Sequence, residues 1–399
     1  MPERKILILG GGFGGIIAAR ELARKNLKNT HITLLSNKNY FEYYPALYRV
    51  VTGASPIEVC VPLSEVLPKK VECNVDAVKE VNVAEKFVTG ESGSAYHYDD
   101  LIIALGSETT YFGLPGIEDL SLGFKSVNEA LRLKNHLAKL FEEHQHPSQG
   151  EMVAHFHIVI VGGGPSGVEV AGDLSVHMQK LAKEYKVDPS FITIDLIESG
   201  GRLIPSIPPA SSARVLARLR KLGINVFLNR FVVKEEIEQV YMKDMSLQAK
   251  TLIWTAGTQL NRLISTIQGL SFAKNKRVEV DEYLGAKGTD SVYIIGDAAA
   301  TPYSGLAQTA IYDGEYVADV IAARTKGREP KKYKPKKTAF SIPVGDNWGV
   351  FVMGPFRMYG YPAYIMRHMI DFMFFSGVLS VKKLFSLFFE GWKYRKLKD

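Results

Sequence analysis

Two stretches of the chain share one arrangement of apolar and polar positions. Lys5-Ile6-Leu7-Ile8-Leu9 is a short unbroken apolar run, followed by a glycine turn, a helical stretch from Gly14 to Lys25 and the strand-like His31-Ile32-Thr33-Leu34-Leu35. An unbroken apolar run, unlike an alternating one, predicts a parallel strand covered on both faces. The order returns about 150 residues later as His157-Ile158-Val159-Ile160-Val161, a glycine turn, a helix and the strand Thr193 to Glu198. At that spacing the recurrence reads as a duplicated module, not a short-period repeat array.

Around these cores other elements fall into place. Asp100 to Leu105 reads as a buried strand closing on Gly106, and Leu252 to Ala256, closing on Gly257, plays the same part in the second unit. Ile57 to Asp100 is rich in valine with polar breaks, which predicts small strands. Asn128 to His144 and Ala307 to Arg324 read as helices, Ser291 to Ile295 as a strand, and His144 to Gly150 as a linker. Lys326 to Lys337 is charged, holds two prolines and marks a boundary.

Composition narrows the class. The 399 residues are 46% hydrophobic and 23% charged, which is globular usage and excludes wholesale disorder. Arg4-Lys5 before the first apolar run imitates a signal peptide, but the glycines from Gly10 interrupt it, so a buried first strand is expected. Cys60 and Cys73 are the two cysteines, in no metal-ligand spacing, so neither a disulfide framework nor a metal site is expected. Lys331 to Asp399 holds 13 Lys/Arg against 4 Asp/Glu, a surplus of +9 that exceeds the whole-chain +7 and leaves −2 on the first 330 residues. The basic character therefore belongs to the tail.

Both glycine turns fit G-x-G-x-x-G between a buried strand and a helix: Gly10-Gly11-Gly12-Phe13-Gly14-Gly15 and Gly162-Gly163-Gly164-Pro165-Ser166-Gly167. Such glycines permit the tight turn, the close approach of a pyrophosphate and the packing of helix on strand, while the helix start offers N–H groups to phosphate. Two matches in two similar units predict two dinucleotide sites. Glu198 ends the second unit's strand, where a carboxylate accepts hydrogen bonds from an adenosine ribose and repels a 2′-phosphate, so NADH is expected over NADPH. Arg202, four residues on, weakens that discrimination. In the first unit the corresponding residue is Ser36 or Asn37.

With these motifs in place, the chain resembles the flavoproteins with two dinucleotide-binding domains, and among them the type II NADH dehydrogenases. Gly162 to Asp173 resembles the family's NADH-side motif, Tyr293-Ile294-Ile295-Gly296-Asp297 its later FAD motif, and Ala307-Gln308-Thr309-Ala310 its Ala-Gln motif beside the flavin and quinone. The resemblance implies an α/β fold of two Rossmann-like domains, with residues 1–112 and 285–330 binding FAD, 113–284 binding NADH, and a membrane-docking region over 331–399. It implies hydride transfer from NADH to FAD and then two electrons to a membrane quinone, without proton pumping. FAD contacts are expected at Gly10, Gly12, Phe13, Gly14, Gly15, Ser36, Asn37, Gly106, Gly296, Asp297, Ala307 and Gln308. NADH contacts are expected at Gly162, Gly164, Pro165, Ser166, Gly167, Glu169, Glu198 and Gly257, and Glu169, Gln308 and Tyr312 are the expected catalytic residues. Tyr312 stands where the family usually carries a second glutamine, which keeps open a reductase of a soluble or protein acceptor, or a nucleotide-sensing redox protein. The chain lacks the closely spaced cysteines of disulfide reductases and sulfide:quinone oxidoreductases.

The tail completes the expectation. From Met369 to Phe389 it is dominated by apolar residues, but its longest uncharged stretch, Phe372 to Val381, is ten residues. A spanning helix needs about 20, so docking on one leaflet at the cytoplasmic face is expected instead. Ile370, Phe374, Val378, Val381, Phe385 and Phe388 follow helical spacing, and Trp392, Tyr394 and the basic Lys393 to Lys398 suit an anionic interface. The same face also suits packing on the protein's own core or on a second copy of the chain as a homodimer contact, whereas nucleic acid is not an expected partner.

Overall fold

The computed structural model describes residues 3–143 and 149–387. Its first unit is a five-stranded parallel sheet in the order Val292–Ile294, Asp100–Ile103, Arg4–Leu9, Thr30–Ser36, Val71–Val75. Ile6, Leu7, Ile8 and Leu9 are all buried, because the sheet is covered on both faces. The second unit repeats the plan with Leu122–Gly123, Thr251–Trp254, His157–Val161, Thr193–Glu198 and Asn225–Leu228. Each unit also carries a three-stranded antiparallel sheet, Val78–Asn82 with Phe87–Gly90 and Ala95–His97 in the first, and Val232–Glu236 with Gln239–Met242 and Ser246–Gln248 in the second. The duplication thus extends beyond the glycine motifs.

The chain crosses between the units twice, at the antiparallel pair Ser107–Thr109 and Thr258–Leu260. The boundary expected at residue 284 is corrected by the packing. Ile264, Ile267 and Val278 share a core cluster with Leu7, Leu9 and Ile103 of the first unit, so the return lies near residue 261. Between Leu260 and Val292 only the short helix Arg262–Thr266 and isolated bridges occur, so no periodicity announces which unit these residues join.

The helices Phe13–Lys25 and Ala307–Thr325 lie against each other, and a Cβ at Gly314 would meet Gly14 O and Ala18 N. Beyond residue 325 an irregular strap leads to the antiparallel sheet Phe340–Pro343, Gly349–Met353, Phe356–Gly360 and then to the helix Tyr361–Val378. Arg20 donates to the carbonyls of Gly377 and Val378 and so caps that last helix. Phe374 packs beside Phe13 at 5.1 Å and Tyr43 at 5.3 Å, tying it to the first glycine turn.

The last helix corrects the expected apolar stripe. Ala363, Arg367, Asp371, Phe375 and Val378 form its buried face, while Ile365, Met369, Phe372 and Met373 are exposed. Of the expected stripe, Val378 is buried and Ile370 and Phe374 are half-buried, whereas Val381 and Phe385 are exposed. The helix stops at Leu379, which is extended, and the phase resets before the next turn. Phe388, Trp392, Tyr394 and Lys393 to Lys398 lie outside the described residues. Among the described residues no helix is long and apolar enough to cross a membrane.

Candidate active site

A cavity of about 970 Å³ runs between the two units and collects residues from both. From the first unit Gly10, Gly12, Phe13, Gly14, Ser36, Asn37, Gly106, Gly296, Asp297, Ala307 and Gln308 line it, and from the second Pro165, Ser166 and Glu169.

The two turns have the same division of labour among their glycines. Gly10 and Gly162 have φ of +107° and +113°, and a Cβ on either would run into the neighbouring strand's backbone. Gly15 and Gly167 lie so close to the carbonyls of Gly10 and Gly162 that a Cβ would overlap them. Gly12 and Gly164 have nothing within 4 Å of a built Cβ, so each opens onto free space at a helix start. Tight turn, tight packing and one open cradle are what a pyrophosphate on a helix N-terminus requires, and the site therefore fits a dinucleotide at each turn.

Other predicted residues divide more sharply. Glu198 accepts from the N–H of Gly163 at 2.7 Å and of Gly200 at 2.5 Å, which fixes its carboxylate beside the second turn. Gly257 lies at the end of Thr251–Trp254 with φ of +75°, matching Gly106 at +67°. Gly15, Gly162, Gly164, Gly167, Glu198 and Gly257 do not line the cavity itself. Gln308 exchanges hydrogen bonds with the backbone of Ala339, 3.0 and 3.3 Å long. Tyr312 departs from expectation. It lies outside the cavity, tilted on Tyr333 with Lys336 Nζ 3.8 Å from its ring centroid, because the strap covers that turn of the helix.

Glu169 sits in a buried charged cluster that the motifs did not announce. The last helix supplies Arg367, whose Nη1 lies 3.9 Å from Glu169 Oε1, and Asp371, whose carboxylate meets Arg367 Nε at 3.1 Å, Arg49 Nη2 at 2.6 Å and Tyr43 OH at 2.6 Å. Burial pushes the Glu169 carboxyl up to about 8 against the opposing pull of Arg367, and pushes Asp173 up to about 7. Burial also acts on Asp371, but Arg367 and Arg49 outweigh it and hold that carboxyl below its usual range. Glu169 is thus a buried acid able to hold or release a proton near neutral pH, and Arg367 lines the cavity beside it. An Arg–Asp pair at i, i+4 inside an apolar helix was the available signal. Cys60 and Cys73 are both free, and burial pushes the Cys60 thiol up to about 11, away from thiolate chemistry.

Comparison with known proteins agrees with this geometry. Residues 4–314 match the pyridine nucleotide-disulphide oxidoreductase family. The type II NADH:quinone oxidoreductase Ndh of Mycobacterium tuberculosis is 30% identical over 94% of this chain and 85% of its own. The type II NADH:quinone oxidoreductase of Haemophilus influenzae is 28% identical over 74% of each. Among solved structures, NDH2 from Plasmodium falciparum in complex with NADH superposes with a TM-score of 0.88 over 98% of both chains, at 21% identity. Two glycine turns of the same build, one lining the cavity and the other adjoining it through Pro165 and Ser166, agree with the match over residues 4–314, and the chain belongs to the pyridine nucleotide-disulphide oxidoreductase family and, within it, to the type II NADH:quinone oxidoreductases.

Proposed function

We propose that the chain oxidises NADH and reduces a membrane quinone through FAD, on the residues that line the central cavity. When bound, FAD supplies the two-electron chemistry, accepting a hydride and returning electrons to the acceptor. The protein's part is to hold, orient and exclude. Gly10 to Gly15 cradle the FAD pyrophosphate, Ser36 or Asn37 meets its ribose, and Asp297, at a strand end, accepts from the ribityl-phosphate region. Gly162 to Gly167 hold the NADH pyrophosphate while Glu198 accepts from the adenosine ribose. Glu169 and Gln308, which line the cavity, would be the side chains nearest the chemistry of the bound cofactors, with Glu169 able to give a proton to the acceptor.

The observation that carries this reading is that Glu169, from the NADH module, lines the same cavity as Asp297 and Gln308, from the FAD module. Tyr312 packs on Tyr333 of the strap and does not line the cavity, so this reading does not depend on it. The exposed Ile365, Met369, Phe372 and Met373, with Val381 and Phe385 beyond, make the face that docks on the cytoplasmic leaflet, and the same face serves a second copy where no membrane is present. Steady-state NADH oxidation with a short-chain quinone, beside a soluble dye and oxygen, tests the assignment. Quinone should be the fastest acceptor, and turnover confined to the dye would overturn it.

A further inference from the structure

Lys125 carries none of the roles above, yet it lines the cavity. It stands directly before the helix Val127–Glu142 and its cap Ser126. Its backbone is fixed there: Ser126 Oγ accepts from Glu129 N at 3.2 Å, and the Glu129 carboxylate accepts from Lys125 N at 2.6 Å, a reciprocal cap shifted by one residue. From this anchored position Lys125 Nζ donates to Ser107 Oγ at 2.8 Å, and Ser107 donates its single proton to Asp297 Oδ2 at 2.5 Å.

The direction of this relay follows from what each group can do. An ammonium only donates, an ionised carboxylate only accepts, and the hydroxyl between them does both. It joins three distant segments: the start of the helix leading into the second unit, the crossing strand between units, and the turn after Val292–Ile294. Ser107 takes one ammonium N–H and one Asp297 oxygen, which leaves further donors on Lys125 and one acceptor on Asp297 at the cavity. Burial lowers the Lys125 pKa, opposed by Asp297, Glu129 and Glu108. A charge removed from water needs a partner. Here the partner is reached through a hydroxyl, so the ammonium is held without being neutralised by direct contact.

We propose that Lys125 is a flavin-binding and flavin-tuning residue, linked through Ser107 to Asp297, whose fixed positive charge favours the reduced cofactor. Hydride arrival adds one negative charge to the flavin, and NADH supplies that hydride, so a nearby cation stabilises the product side of the half-reaction. The inference rests on FAD occupying this cavity.

Lys125→Met keeps the apolar stem and removes the charge, and Lys125→Arg keeps the charge. FAD binding to apoprotein is read by quenching of flavin fluorescence, and the midpoint potential by equilibration with a reference dye. Lys125→Met should bind FAD about tenfold more weakly and shift the two-electron equilibrium about tenfold toward oxidised flavin, about 30 mV, while Lys125→Arg stays near the parent. If the parent binds FAD and Lys125→Met matches it in both affinity and potential, the role of Lys125 is refuted. If the parent binds no FAD, the assignment of the cavity falls instead. Where Lys125→Met fails to fold, Ser107→Ala decides, because it cuts the link to Asp297 and leaves the charge. Weaker FAD binding in that variant supports the relay, and unchanged binding overturns it.

Discussion

Replacing Asp371 with asparagine tests the buried cluster most directly. Asp371 is 2% exposed and receives Arg49, Arg367 and the Tyr43 hydroxyl, so the change leaves two buried guanidiniums facing a neutral amide. Breaking a buried ion pair from one side costs about 3–5 kcal/mol, because the remaining charge keeps its desolvation penalty. The asparagine oxygen can still accept from Tyr43, so that hydrogen bond adds little. Unfolding entropy of about 2.1 cal/mol/K per residue over 399 residues converts this range to a Tm lower by about 4–6 °C. The assay is thermal unfolding of FAD-loaded protein followed by far-UV circular dichroism. The double variant Asp371→Asn with Arg49→Met should recover part of the loss, since one of the two unpaired cations is gone. A Tm within about 1 °C of the parent, or strictly additive losses in the double variant, would refute the view that Asp371 holds the last helix onto the two units.

Four further outcomes follow from the geometry. Gly12→Ala should fold with an unchanged apoprotein Tm and lose FAD, because Gly12 has φ of −84° and open space around its Cβ, whereas Gly15→Ala should not fold, since its Cβ would overlap Gly10 O; absorbance at flavin wavelengths and melting separate the two. Glu198→Gln should shrink the preference for NADH over NADPH, measured as the ratio of kcat/KM values, and a parent equally efficient with both would contradict the ribose contact. Glu169, with its pKa raised to about 8 in the fold, binds its proton more tightly folded than unfolded, so its stabilising contribution is complete below the ordinary carboxylate range and is lost as pH rises toward 8; Glu169→Gln should therefore lose less Tm than the parent between pH 6 and 9. Changing Met369, Phe372 and Met373 together to serine removes about 1 kcal/mol of interfacial burial each, about 100-fold in vesicle partitioning, with Tm unchanged, and co-sedimentation with anionic vesicles reads it.

What could be seen in the sequence was what local physics writes into consecutive residues. The strands Arg4–Leu9 and His157–Val161 declared themselves by unbroken apolar runs, and the turns at Gly10 and Gly162 by spacing that both backbone sterics and phosphate demand. Glu198 was legible because it ends a strand beside such a turn. The contacts that escaped join residues far apart in the chain: Arg49 with Asp371, 322 positions away, and Ser107 with Asp297, 190 positions away. Asp371 looked like an interruption of an apolar tail, and only the fold shows that the tail helix turns Arg367 and Asp371 inward and Met369 and Met373 outward. The surroundings of Tyr312 escaped for a related reason, since helical spacing from Gln308 says nothing of the strap that covers it.

The interrupted first unit also sets an order of assembly. Its sheet lacks the strand Val292–Ile294, and its first glycine helix lacks the partner Ala307–Thr325, until the whole second unit has been made. At roughly 5–20 residues per second, residues 104–291 keep a ribosome occupied for roughly 10–40 s. During that interval the NADH module, which is continuous apart from its crossings, can close on its own core, while the amino-terminal module waits with an open sheet edge and an uncovered helix. Synthesis from the amino terminus would therefore yield the second module first, and the capacity to retain FAD would appear only once Asp297 and the helix behind it had left the exit tunnel.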